Sequence, residues 1–253
     1  MFLSILTGLF IPFFGTVLGA AFIFLLKREL CPRAELLMLG FAAGVMAAAS
    51  VWSLLIPAIE LGSGLGVFSF LPAAAGFVIG ILFLVGTDWI AGRIRRRERD
   101  VRTGSLMVLA VTIHNIPEGL SVGAAFAGMM TDSAGITAAS AFALAVGVGV
   151  QNLPEGFIVA LPYAGKGRPR RRAFLYGMLS GAVEPLAGAV MVLLAAWLRP
   201  ALPWLLAFSA GAMFCVILEE LIPEAMRERK AHLGTAGFAA GFLVMMILDV
   251  ALG

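Results

Sequence analysis

Charged residues are scarce in this chain of 253 residues. Asp, Glu, Lys and Arg together make up 13% of it, whereas 61% of the residues are apolar and the mean hydropathy is +1.01. Such values exclude a water-soluble domain. Cysteine is nearly absent, and its two copies, Cys31 in a loop and Cys215 in an apolar segment, cannot build a disulfide framework. The sequence therefore predicts an integral membrane protein.

Long apolar segments account for almost the whole chain. Each is near the ~20 residues that a helix needs to cross a bilayer, and the short alternating segments of a transmembrane barrel are absent. The first segment lacks a basic n-region, so we interpret it as a retained helix rather than a signal peptide. We predict an all-α membrane protein with a single transmembrane domain over residues 1–253 and eight helices, at roughly 3–26, 36–57, 67–91, 104–129, 134–162, 172–198, 203–223 and 235–252.

Basic residues lie almost entirely on one side of the predicted topology. Every Lys and Arg except Arg199 lies in or beside the loops that follow the first, third, fifth and seventh segments. By the positive-inside rule these loops face the cytoplasm, which leaves both termini outside. The run RIRRRERDVR at 93–102 is interpreted as a topology signal beside anionic lipid rather than a nucleic-acid site. We therefore expect contact with the lipid bilayer and no nucleic-acid partner.

The chain also contains an internal repeat. FAAGVM at 41–46 resembles FSAGAM at 208–213, and LIP at 55–57 recurs at 221–223. In the predicted topology the two helices that carry these motifs run in opposite directions, as in the inverted repeats of transporters. Chance recurrence of small residues in membrane helices is the alternative explanation.

Two hexapeptides, HNIPEG at 114–119 and QNLPEG at 151–156, put ionisable and amide side chains in the middle of apolar segments. Such groups are costly in lipid and mark functional sites. Helical spacing of three and four residues puts each Glu on the same face as the two polar residues that begin its motif. The two helices thus offer adjacent ligand sets that share both carboxylates: His114, Glu118, Gln151 and Glu155 in the first, and Asn115, Glu118, Asn152 and Glu155 in the second.

The composition of these sets favours a divalent cation. Imidazole, carboxylate and amide groups suit zinc, iron or manganese, and the lack of thiolates argues against copper(I). Glu184, which precedes Pro185 in another apolar segment, is expected to complete the second set. Pro117 and Pro154 free backbone carbonyls beside the site, as in the broken helices that line substrate sites. Interhelical hydrogen bonds and plain packing kinks are the structural alternatives.

These motifs, together with VEP at 183–185 and EELIPE at 219–224, resemble the signatures of the Zrt/Irt-like (ZIP) divalent metal transporters, most closely the GufA-type prokaryotic branch. The resemblance implies a 3+2+3 inverted arrangement of eight helices, a homodimer, and a binuclear metal centre on the transport path. It also implies that Met46 is a soft ligand of the first set. Zn²⁺, and with it Cd²⁺, Fe²⁺ or Mn²⁺, would be the substrate, with no prosthetic group and no enzymatic activity.

Further ionisable residues outline a path for cations. Two are predicted to lie toward the outside and four toward the cytoplasm, with solvated interfacial residues as the alternative reading of the outer pair. The outer pair is Glu60 and Asp249; the inner group is Asp88, Glu220, Glu224 and His232, among which Glu220 is the favoured exit residue.

The functional hypothesis is import of divalent metal across a prokaryotic plasma membrane by alternating access. Export or exchange of the same ions is one alternative, because the ligands themselves have no direction. An intramembrane metal-dependent hydrolase is another, which the absence of an HExxH pair and of a second histidine in any span disfavours.

Overall fold

The computed structural model describes residues 2–25, 31–97, 103–131, 136–164, 169–197, 199–227 and 232–252, and all regular structure within these ranges is helical. The α-helices are α1 (Phe2–Ala21), α2 (Pro32–Ala49), α3 (Ile56–Leu61), α4 (Phe70–Arg97), α5 (Thr103–Met130), α6 (Ala138–Ala164), α7 (Arg170–Gly181), α8 (Val183–Trp197), α9 (Leu202–Val216), α10 (Ile222–Ala225) and α11 (His232–Leu252). Short 3₁₀ turns lie at Phe22–Phe24, Ser63–Phe68 and Arg199–Ala201.

Seven stretches of the described chain are long and apolar enough to cross a membrane: Phe2–Phe24, Pro32–Leu61, Phe70–Thr87, Ala138–Leu161, Arg170–Ala195, Leu202–Ala225 and His232–Leu252. The prediction of an all-α membrane protein is confirmed. Helix α5, which has 28 residues and carries the first hexapeptide, packs among these stretches against α6, α8 and α9. The predicted count of eight spans, which requires α5 to cross as well, stays a prediction.

Two of the spans change helix type at equivalent places. Helix α2 passes through a π-helical segment, Ser50–Leu55, into α3, and α9 passes through another, Ile217–Leu221, into α10. A proline follows each segment by two residues, Pro57 in one span and Pro223 in the other. Proline lacks the amide donor and crowds the preceding turn, which favours a wider turn. The repeated LIP motif therefore accompanies the same local structure in both halves.

The sixth predicted span, 172–198, is interrupted in the structure. Helix α7 ends at Gly181 and α8 begins at Val183, where the prediction had one continuous helix. The physical reason is Pro185, which cannot donate a hydrogen bond to the carbonyl of Gly181. The break puts Glu184 in the first turn of a new helix.

The helices pack as two groups. In the site bundle, which comprises α1, α5, α6, α7 and α8, α1 packs on α6 and α5 packs on α8. In the flanking bundle, which comprises α2, α3, α4, α9, α10 and α11, α2 packs on α11 and α4 packs on α9. Contacts of α2 with α6 and of α5 with α9 join the two bundles. Each bundle thus contains two closely packed helix pairs.

Glycines at the helix contacts show that the two halves are built alike. A Cβ atom on Gly44 of α2 would lie 2.1 Å from the carbonyl oxygen of Phe238 in α11, and one on Gly211 of α9 would lie 2.0 Å from that of Phe77 in α4. Gly44 and Gly211 hold the same position in the two FxAGxM motifs. Because only glycine permits such an approach of two backbones, the repeated motif specifies the same helix contact in each half.

Candidate metal-binding site

The two hexapeptides meet inside the site bundle. Helix α5 carries the first and α6 the second, and Glu184 lies beside them at the start of α8. Six of the polar residues concerned are buried, each at most 8% exposed: His114, Asn115, Glu118, Gln151, Asn152 and Glu184. Glu155 is partly buried. The structure therefore gathers a set of polar groups away from lipid and solvent.

Two glycines bring the helix backbones close enough for these side chains to touch. Gly119 follows Glu118, and a Cβ atom there would lie 2.2 Å from the carbonyl oxygen of Glu184. Gly156 follows Glu155, and a Cβ atom there would lie 2.2 Å from the carbonyl oxygen of Thr16 in α1. The final glycine of each hexapeptide thus positions a neighbouring helix, α8 in one case and α1 in the other.

Gln151 links α6 to α5. Its Nε2 atom donates to Oε1 of Glu118 at 2.6 Å and to Oδ1 of Asn152 at 3.0 Å. A charge-assisted hydrogen bond of this length orients both partners. With its amide nitrogen so engaged, the Oε1 atom of Gln151 is left as its free acceptor.

Asn115 and Glu184 link α5 to the break between α7 and α8. The Nδ2 atom of Asn115 donates to Oε1 of Glu184 at 3.0 Å and to the carbonyl oxygen of Ser180 at 3.2 Å. The hydroxyl of Thr16 donates to the same Oε1 of Glu184 at 2.8 Å. On the other side of the site, Nδ2 of Asn152 donates to the carbonyl oxygen of Pro12 at 3.4 Å.

Five buried oxygen atoms of this group have no hydrogen-bond partner within the described part of the chain. They are Oδ1 of Asn115, Oε2 of Glu118, Oε1 of Gln151, Oε1 of Glu155 and Oε2 of Glu184. Buried polar atoms are nearly always satisfied, so a concentration of unsatisfied acceptors in one place requires an explanation. Because all five are oxygen acceptors from carboxylates and amides, a cation would satisfy them.

The three glutamates also act on one another electrostatically. Glu155 interacts with Glu118 and with His114, and Glu184 interacts with Glu155 and Glu118. Buried like charges repel, and a divalent cation between them would remove that cost. Within the described ranges, no three His, Cys, Asp or Glu side chains are grouped closely enough to hold a metal ion by themselves. The amide oxygens would therefore have to take part.

His114 connects the site to the flanking bundle. Its Nε2 atom lies 2.8 Å from Oε1 of Glu220, which belongs to the π-helical segment after α9. The Glu220 side chain is 42% exposed, whereas that of His114 is 10% exposed. The pair thus leads from the buried centre toward a more exposed side chain. That Glu220 is the exit residue stays a prediction.

The other predicted residues all belong to the flanking bundle. Met46 is fully buried on α2, which packs against α6, and Asp249 is buried on α11, where it accepts a hydrogen bond from Ser53 at 2.6 Å. Glu224 pairs with Arg227 at the exposed end of α10. Of the remaining three, Glu60 and His232 are exposed, and the side chain of Asp88 lies outside the described part of the structure.

The sequence reading missed three polar contacts. Thr16 touches Glu184, Ser180 holds Asn115 through its carbonyl, and Ser53 holds Asp249. The signal available for Thr16 was its position in an apolar segment between Gly15 and Gly19, which indicates a close helix contact. A backbone carbonyl, as at Ser180, leaves no trace in the sequence.

Helices α5 and α6 run through Pro117 and Pro154 without interruption, and the one helix break beside the centre in the described chain is that before Pro185. An all-helical, multi-pass chain with such a buried polar centre belongs to the class of membrane proteins in which transporters are found. The family model for the ZIP Zinc transporter matches residues 93–249. The chain belongs to this ZIP family, which confirms the resemblance of its motifs.

Individual relatives match over nearly the full chain. The chain is 34% identical to "Zinc transporter ZIP11" of Homo sapiens, over 98% of this chain and 97% of that protein. It is 38% identical to "Zinc transporter GufA" of Myxococcus xanthus, over 94% of this chain and 96% of the relative. It is 35% identical to "Zinc transporter ZIPB" of Bordetella bronchiseptica, over 95% of this chain and 79% of the relative.

Proposed function

We propose that this chain transports divalent metal ions, Zn²⁺ first, through the polar centre of the site bundle into the cytoplasm. The observation that carries the proposal is the group of five buried oxygen atoms on α5, α6 and α8 that have no hydrogen-bond partner among the described residues. The names of the relatives, all zinc transporters, support zinc as the substrate. The metal is cargo, so no prosthetic group and no enzymatic step is involved.

The proposed centre holds two ions. The first would be bound by His114, Glu118, Gln151 and Glu155, with Met46 as an additional soft ligand, and the second by Asn115, Asn152 and Glu184 with the two shared glutamates. Three carboxylates nearly balance the charge of two divalent cations, which lowers the cost of burial. The hydrogen bonds from Gln151 to Glu118 and from Asn115 to Glu184 leave one oxygen of each carboxylate available.

The proposed path enters near the Ser53–Asp249 pair and leaves past His114 and Glu220. In the first pair, Oδ2 of Asp249 is a buried carboxylate oxygen with no hydrogen-bond partner in the described ranges, and it could receive an incoming cation. The proposed membrane is the plasma membrane of a prokaryote. The basic residues lie in or beside the loops that follow the first, third, fifth and seventh predicted spans, which supports an orientation with these loops in the cytoplasm and both termini outside. A passing ion would thus meet acidic groups before, within and after the centre.

Alternating access would arise from the two bundles. The five oxygens all belong to the site bundle, whereas Met46, Asp249 and Glu220 belong to the flanking bundle. Movement of one bundle past the other could expose the centre first to the Ser53–Asp249 side and then to the Glu220 side. The exposed apolar surface of the flanking bundle, for example Val78, Leu82 and Trp89 of α4, leaves room for the predicted homodimer contact.

The experiment is metal uptake into liposomes that contain the purified protein. Zn²⁺, Cd²⁺, Fe²⁺ and Mn²⁺ are tested side by side, with the variants Glu155→Ala and Glu35→Ala, of which the second removes an acid that pairs with Arg227 and is not on the predicted path. We expect saturable uptake that is lost in the Glu155→Ala variant and retained in the Glu35→Ala variant.

Two results would contradict the proposal. Equal metal uptake by the wild type and the Glu155→Ala variant would show that the metal does not pass through the polar centre. Turnover of a peptide or lipid substrate without metal flux would favour the intramembrane hydrolase instead, and outward flux under a reversed gradient alone would favour export.

A further inference from the structure

We propose that Thr16 of α1 is a positioning residue for the second metal set: its hydroxyl holds one oxygen of Glu184 so that the other faces the ion. This inference rests on the proposed function, and it adds to the centre a helix that supplies none of the ligands named above. Thr16 is 1% exposed, so its hydroxyl has no access to bulk water.

The hydrogen bonds around Glu184 are unequal. Oε1 receives two donors, the Thr16 hydroxyl at 2.8 Å and Nδ2 of Asn115 at 3.0 Å. Oε2 is buried and receives no donor from the residues that the structure describes. A carboxylate held in this way cannot rotate without breaking two charge-assisted hydrogen bonds, so Oε2 is the oxygen presented to a cation.

Helix packing fixes where the Thr16 side chain can lie. A Cβ atom on Gly181 would lie 2.7–2.8 Å from three atoms of the Thr16 side chain, so the end of α7 accommodates this threonine only because residue 181 is glycine. Gly15 and Gly19, on either side, bring α1 within contact of the carbonyl oxygens of Gly149 and Leu153 in α6. The Thr16 side chain is therefore held between α6 and the end of α7, which restricts the partners that its hydroxyl can reach.

A threonine in a helix often donates to the carbonyl four residues earlier, and this is the competing explanation. The distance from the Thr16 hydroxyl to the carbonyl oxygen of Pro12 is 3.4 Å, at the limit for a hydrogen bond, whereas the distance to Glu184 is 2.8 Å. Thr7 of the same helix makes the ordinary contact, to the carbonyl oxygen of Leu3 at 2.8 Å. Thr16 therefore differs from Thr7 in having Glu184 as its main partner.

The internal repeat gives a second argument for the role of Thr16. Gly156 of α6 packs against the carbonyl of Thr16 in the same way that Gly119 of α5 packs against the carbonyl of Glu184. Likewise, Asn152 donates to the carbonyl of Pro12, four residues before Thr16, and Asn115 donates to that of Ser180, four residues before Glu184. Thr16 thus occupies in one half the place that Glu184 occupies in the other, and the two equivalent side chains meet at the centre.

The test is metal binding by the purified full-length chain in detergent, measured by titration calorimetry with Cd²⁺ and Zn²⁺. Thr16→Val keeps the shape of the side chain and removes the hydroxyl, Thr16→Ser keeps the hydroxyl, and Thr7→Val is the matched control on the same helix. We expect Thr16→Val to weaken one binding step by about 10–100-fold, as loss of a group that orients a metal ligand does. Thr16→Ser and Thr7→Val should bind as the wild type does.

Wild-type metal affinity and stoichiometry in the Thr16→Val variant would overturn the inference. So would a Thr16→Ser variant that binds metal as weakly as Thr16→Val, because the serine keeps the hydroxyl and the loss would then come from altered packing. Thr16→Ala replaces Thr16→Val where the valine variant does not fold. If the wild type binds metal and Thr16→Val binds equally well, only this inference fails. If the wild type binds no metal, the proposed function fails and takes the inference with it.

Discussion

Glu118→Gln is expected to stabilise the metal-free protein and to reduce the stabilisation that bound metal provides. Glu118 is 1% exposed and accepts a hydrogen bond from Gln151 through Oε1, while its Oε2 has no hydrogen-bond partner in the part of the chain that the structure describes. A glutamine keeps the acceptor for Gln151 and puts an amide donor where Oε2 was. It also removes the repulsion with Glu155 and Glu184.

The magnitudes follow from these contacts. A buried polar atom without a partner costs about 1–3 kcal/mol, and more where its group is charged, so the metal-free variant should be more stable than the wild type by about 1–3 kcal/mol. Loss of a shared anionic ligand should weaken metal binding about 100-fold, which is about 2.7 kcal/mol. At a metal concentration about 100 times the wild-type Kd, metal stabilises the wild type by about 2.7 kcal/mol and the variant by only about 0.4 kcal/mol.

The assay is denaturant unfolding of purified protein in detergent, with and without Zn²⁺. Glu60→Gln, at the exposed end of α3, is the matched control and should behave as the wild type in both conditions. A Glu118→Gln variant that is less stable without metal, yet gains the full wild-type stabilisation with metal, would refute the reasoning.

Three further changes are predicted. Gly119→Ala should abolish transport and destabilise the protein by about 1–3 kcal/mol through overpacking against α8, whereas Gly86→Ala, with open space around it, should be tolerated in the same thermal-unfolding and uptake assays. Asp249→Asn should raise the half-saturating metal concentration for uptake on the order of tenfold without lowering the maximal rate, because steering of the cation is lost; a fall in the maximal rate alone would contradict this. Arg227→Gln should cost under about 1 kcal/mol, because its pairs with Glu35 and Glu224 are exposed. Its hydrogen bond with Glu35 raises the pKa of Arg227, so the arginine stays protonated and this small cost should not vary across neutral pH in unfolding experiments.

The class of fold and the central residues could be predicted because they depend on local patterns. Apolar length reports membrane helices, and the spacing within HNIPEG and QNLPEG puts His114 and Glu118, or Gln151 and Glu155, on one face of a helix. The repeat of FxAGxM likewise indicated that the two helices that carry it are related, and the structure adds that they make the same helix contact.

Contacts between distant residues could not be predicted in the same way. Thr16 and Glu184 are separated by 168 positions, and their hydrogen bond depends on how closely α1 approaches α7, which Gly181 determines. His114 and Glu220 lie on helices of different bundles, so their pairing depends on the arrangement of the bundles. The interruption at Ala182 and the π-helical segments could not be predicted from apolar composition, because a segment stays equally apolar whether its helix is regular or perturbed.

The most direct test of the central claim is to locate the metal by anomalous X-ray scattering from crystals of the full chain grown with Zn²⁺, or with Cd²⁺. The account predicts anomalous peaks between α5, α6 and α8, with zinc about 2.0–2.2 Å from carboxylate oxygens of Glu118 and Glu155. A fully occupied zinc site elsewhere, with those carboxylates free of metal, would contradict it.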